Sequence, residues 1–122
     1  TGPEDKLQEL VAALLEYFEG NRDFFLITVR EKMDFLKIKV QRNGRNDTVR
    51  ASLDDSIKEF SSIITEGKKA GVFVQADSAV IFSSVIGTVT TVALDVIVYG
   101  REAKLTDLTG DCWKVISGGI LA

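Results

Sequence analysis

Between Val72 and Tyr99 the chain carries only two charges, Asp77 and Asp95, in a stretch dominated by Val, Ile and Thr. No other segment constrains the fold as strongly, because so much uncharged surface must be covered either by the rest of the protein or by lipid. As a helix, residues 79–99 are long enough to cross a hydrocarbon core of about 30 Å, and Ser83, Gly87 and Thr91 recur at the four-residue spacing that suits helix packing there. The insertion sum is close to neutral. The Val, Ile, Leu and Phe residues contribute roughly −3 to −7 kcal/mol, Asp95 opposes them with up to about 3 kcal/mol, and the Ser and Thr residues oppose them further. β-branched composition, with breaks at Asp77-Ser78 and Gly87, favours buried strands over a span. The expectation is three strands, at 71–75, 79–84 and 88–99, the last with a bend or bulge near Asp95.

The rest of the chain shows clearer periodicity. Leu7, Leu10, Val11, Leu14, Leu15 and Phe18 fall three and four apart, an apolar stripe on a helix over 3–19. Pro3 suits its first turn, Glu4 and Asp5 complement its positive end, and Gly20 can stop it. Leu36, Ile38 and Val40 alternate with Lys37, Lys39 and Gln41 as a half-buried strand does. Asn43-Gly44 is a strong reversal signal, so a hairpin returns through 48–51. Ser52 with Asp55 reads as an acidic variant of the capping box opening a second helix, whose apolar face is Leu53, Ile57, Phe60, Ile63 and Ile64 and whose end is Gly67-Lys68-Lys69.

The strand, reversal, strand and capped helix over 35–66 resemble the opening half of a β-grasp fold, a likeness of order and periodicity that implies no functional residues. The fold class expected is α+β: an amphipathic helix, a β-hairpin, a second capped helix, then several apolar strands in one mixed or mainly antiparallel sheet. With 122 residues, one domain over 1–122 is the default. The start at Thr1 and the single methionine at position 33 point to an excised or processed piece of a longer chain.

Residue types missing from the chain narrow its chemistry. There is no histidine, so Ser-His-Asp and Cys-His mechanisms are excluded. Cys112 is the sole cysteine; it can form no internal disulfide and, without histidine, no Cys/His zinc site. Asp107 and Asp111 lack the spacing of a calcium loop. No phosphate-binding glycine motif occurs. The chain is therefore expected to be no enzyme, with no catalytic residue, no metal and no cofactor. A lone cysteine also points to an intracellular, reducing compartment.

Charge is unevenly spread, which suggests where a partner would bind. Residues 1–20 sum to −4, whereas 21–50 sum to +4. Lys37, Lys39, Arg42, Arg45 and Arg50 would cluster on the hairpin as a basic face. No aromatic residues are interleaved there for base stacking, which makes nucleic acid an unlikely partner. The expected function is a non-catalytic protein-interaction or scaffold domain, binding a protein or a second copy through this basic face or an exposed sheet edge. The alternatives are a module enclosing a lipid-like apolar ligand and a membrane-anchored subunit spanning at 79–99, the membrane being less favoured.

Overall fold

The computed structural model of the protein describes residues 2–27, 29 and 47–122, with 47–57 described through their backbone. Helix α1 spans Pro3–Gly20, a short helical stretch α2 covers 22–27, and α3 spans Asp47–Lys69. Helix α4, Ser78–Ala93, runs into a π turn at Leu94–Val98. A 3-10 turn at Leu105–Leu108 then leads into α5, Thr109–Ile120. Helices α1 and α4 pack against each other, and each also packs against α3 on one side and α5 on the other.

Helix α1 is held because its apolar stripe is covered by α3, α4, α5 and the 3-10 turn. Leu7, Val11 and Leu15, one turn apart, are fully buried, with Leu10, Leu14 and Phe18 partly buried beside them. Burying an aliphatic side chain of this size contributes about 1.5–3 kcal/mol. In α4 the buried stripe is Ile81, Val85, Val89 and Ala93, and Val96 prolongs it into the π turn. Asp77 caps this helix, its carboxylate accepting from the amides of Ala79 (2.8 Å) and Val80 (3.2 Å). The core contributed by the described residues is dry: no polar or charged side chain is buried among them.

The α3–α4 turn is closed by its own backbone. Gly71 adopts φ +74°; its amide donates to the Lys68 carbonyl (3.1 Å) and that of Val72 to Gly67 (2.9 Å), the Schellman pattern that ends a helix. Phe73, with no exposed surface, then folds back over Gly67. Residues 120–122 are tied to the same place. Phe73 and Leu121 make an isolated antiparallel bridge, the Val74 amide donates to Ile120 (2.8 Å) and the Ala122 amide to Val72 (2.9 Å).

The connection between α4 and α5 docks on the end of α1. Glu19 accepts from Arg22 (2.7 and 3.0 Å) and from the Leu105 amide (2.6 Å), while Arg22 donates to the Ala103 carbonyl (3.3 Å). The hydrogen bond from Arg22 holds the Glu19 carboxyl below its ordinary range; partial burial opposes this, and the Leu105 amide adds to it. A depressed carboxyl stabilises the fold above its unfolded pKa, and that stabilisation is lost as pH falls through the folded value. The contact is therefore complete at neutral pH and released only in acid.

The α+β expectation is overturned. No strand forms among the described residues, and residues 79–84 and 88–93, expected as strands, are helical. Each β-branched residue disfavours a helix by only about half a kcal/mol relative to alanine, less than one buried contact of the stripe contributes. The serine and threonine hydroxyls also need no sheet: Ser84 donates to the Val80 carbonyl (3.0 Å) and Thr88 to that of Ser84 (2.9 Å). Asp95 lies in the π turn rather than in a β-bulge, paired with Arg101 at 3.3 Å on the surface. Residues 48–51, expected to return from the hairpin, are helical and belong to α3. Ser52 thus lies inside α3 and cannot be its cap, and Gly67 is interior, the stop being Gly71. The strand at 35–41 and the Asn43-Gly44 reversal lie outside the described residues, and of the β-grasp likeness only the helix, now the later part of α3, is found among the described elements.

Ser78–Val98, 21 residues, is long and apolar enough by length and composition to cross a membrane. In this fold one stripe of the same residues is buried against α1, α3 and α5, while most of the segment's surface, Val80 and Val98 included, is left open.

Candidate functional site

Four of the five residues expected to form a basic face, Lys37, Lys39, Arg42 and Arg45, lie outside the described residues. Arg50 falls within α3, not on a hairpin strand. Asp54 and Asp55 are interior to the same helix. Asp107 lies in the 3-10 turn and Asp111 in the first turn of α5. Among the described residues no group of three or more His, Cys, Asp or Glu side chains is positioned to hold a metal ion.

Cys112 is buried in α5 within the core. Burial pushes its thiol above the ordinary range, and the Asp111 carboxylate pushes it further. Since the thiolate is the reactive form, a thiol reagent at neutral pH should label the folded protein at least about tenfold more slowly than the urea-unfolded chain. Equal rates would place Cys112 at the surface.

The described concavities lie along α3. One, of about 450 Å³, has walls from two helices: Lys6, Glu9, Leu10 and Ala13 of α1, and Glu59, Ser62 and Ile63 of α3. The other, of about 790 Å³, is lined among the described residues by one face of α3, from Lys58 through Ser62 and Glu66 to Ala70. The two meet at Ser62. Both are shallow and open to solvent, and the first differs in having walls from two helices.

Its chemistry follows from the helical period. Leu10 and Ile63 belong to the inward stripes of α1 and α3 and give the groove an apolar floor. Glu9 and Glu59, one position away from inward residues, stand exposed on its walls. Across the same helix pair, the Lys6 ammonium donates to both carboxylate oxygens of Glu66 at 3.0 and 3.1 Å. Both side chains are about 43% exposed, so this ion pair fixes geometry more than it stabilises the fold. The groove had no signature in the sequence, because its walls come from segments some fifty residues apart.

A bundle of helices with an apolar core and a groove between two of them is the architecture of an all-helical domain. The chain belongs to the family of tetracyclin repressor-like C-terminal domains, whose match covers residues 1–94. No curated protein and no solved structure matches it significantly.

Family membership changes the functional expectations. Domains of this kind are regulatory and non-enzymatic, typically the ligand-binding part of transcriptional regulators. A protein-interaction scaffold working through a basic hairpin is thereby overturned, as is a sheet enclosing a lipid-like ligand, since the described fold has no sheet. The membrane-anchored alternative gives way to the same assignment. The judgement that nucleic acid is an unlikely partner is overturned as well, because such domains usually belong to DNA-binding regulators. That judgement weighed the wrong quantity: base-stacking aromatics and positive charge report direct contact by the segment that carries them, and not what a regulatory domain controls elsewhere in its protein.

Proposed function

We propose that residues 1–122 form a single regulatory domain of a DNA-binding transcriptional regulator, and that it acts by binding a small effector rather than by catalysis. The observation that carries this reading is the family match over 1–94, which includes the whole of α1, α3 and α4. The two-walled groove between α1 and α3 supports it by offering an apolar floor with charged walls, Glu9 and Glu59 beside Lys6, a lining suited to an amphipathic molecule. Ligand bound there would bridge the two helices and favour whichever spacing it fits, the differential affinity that a regulatory response needs.

The test is a thermal-shift screen of small amphipathic molecules against the purified domain. A true effector should raise the midpoint in a concentration-dependent way, because binding only the native state stabilises it by mass action, about 2.7 kcal/mol at a hundredfold excess over Kd. Ala13→Trp, at an exposed position of the groove, should abolish that shift while leaving the ligand-free midpoint nearly unchanged. A shift that survives this substitution would move the effector site elsewhere in the domain, and a full-length regulator whose operator affinity ignores every bound effector would overturn the regulatory reading.

A further inference from the structure

We propose that Glu19 and Arg22 form a charged latch that closes the strap between α4 and α5 onto the end of α1, so that residues 102–105 open locally, without unfolding of the bundle, when the latch is broken. This goes beyond the effector reading and does not depend on it.

The latch side is rigid. Asn21 closes the end of α1, its side-chain amide donating to the Tyr17 carbonyl (2.8 Å) and its backbone amide to Phe18 (3.2 Å). Phe25 of α2 is buried and packs edge-on against Phe18, with ring centroids 4.9 Å apart. This corner fixes Glu19 and Arg22 with respect to each other. Arg22 meets both carboxylate oxygens, the two-point geometry that makes guanidinium–carboxylate pairs directional.

The strap is held unevenly. Its first part is tied to the π turn that follows α4: the Tyr99 amide donates to Leu94 (3.1 Å) and the Arg101 amide to Asp95 (3.2 Å). Gly100, at φ +74°, makes the reversal between them. Beyond Arg101, the hydrogen bonds that reach from the strap to another element run to the latch: the Leu105 amide to Glu19 and the Ala103 carbonyl to Arg22, across 86 and 81 residues of sequence. Leu105 itself is fully buried. The buried Leu105, the partly buried Ala103 and one ion pair thus hold this segment. Arg22 is 40% and Glu19 22% exposed, so water and salt reach the pair, whereas Leu105 is sealed beneath it. Such a segment belongs to the low-stability end of a fold, where opening is local.

Residue-resolved amide hydrogen exchange of the whole chain tests this. In Glu19→Ala, exchange at Leu105 should accelerate about tenfold or more, since a hydrogen bond to a charged group is lost, while Val85 and Val89 in α4 change by less than about twofold. Glu16→Gln, an exposed position one turn earlier in α1, should leave Leu105 unaffected. An unchanged Leu105 rate in Glu19→Ala overturns the latch; so does acceleration by the same factor at Leu105 and Val89, which would mean general destabilisation. Should that variant fail to fold, the wild-type chain decides: raising salt should speed exchange at Leu105 selectively by screening the exposed pair, and a uniform or absent response overturns the proposal.

Discussion

Replacing Gly67 with alanine is expected to destabilise the domain by about 3 kcal/mol, at the upper end of overpacking penalties, and to lower the thermal midpoint by roughly 10 °C. Glycine normally weakens a helix interior, so Gly→Ala should there gain about 1 kcal/mol. Here a Cβ would overlap the Phe73 ring, coming within 2.8 Å even of its Cγ. The ring cannot swing aside, because Phe73 has no exposed surface and its backbone is held by the bridge to Leu121. The cause can be isolated by a double-mutant cycle. Phe73→Ala alone should cost about 3–5 kcal/mol; added to it, Gly67→Ala should turn neutral or mildly stabilising. Denaturation midpoints of the four proteins measure this directly, and a Gly67→Ala penalty that persists without the ring would remove the ring from the explanation.

The second large effect separates two residues that a strand would put on the same face. Val89→Asp is expected to unfold the domain, because position 89 is about 1% exposed and an unpaired buried carboxylate exceeds what a domain of marginal stability can absorb. Thr91→Asp, two residues on and exposed, should change stability by no more than about half a kcal/mol. Far-ultraviolet circular dichroism and urea melts of the two variants give the answer. Comparable damage at both positions would contradict a helix with an inward stripe at 81, 85, 89 and 93.

These two cases mark how far the sequence could be read. Helix α1 was legible because its polar and apolar residues are strongly contrasted. The tract that became α4 was not, since Val, Ile and Thr differ little in polarity and their branched side chains suggest strands. Its period is nevertheless present: Ser83, Ser84, Gly87 and Thr91 all lie on the exposed side, while Ile81, Val85, Val89 and Ala93 lie inward. An alternating arrangement would scatter the threonines over both faces. Segregation of small polar residues was therefore a better guide than propensity, and it surfaced only as a spacing that suited helices in lipid. The start of α3 was missed for a related reason, as a good capping signal at Ser52 outweighed the weaker evidence that the helix already begins at Asp47. The groove and the Glu19–Arg22–Leu105 contact are tertiary, joining residues far apart in the chain, and no local pattern announces them.

The tie between the α3–α4 turn and residues 120–122 has a bearing on synthesis. Helix α1 precedes in the chain two of the helices that cover its apolar stripe, α4 and α5. Only when Ile120 to Ala122 have been added can the backbone bonds to Val72 and Val74 form. Until then α5 lacks its fastening and the nascent bundle stays open on one side. Within these residues, translation thus makes α1 well before the elements that close over it, and during that interval its stripe depends on whatever else can shield it.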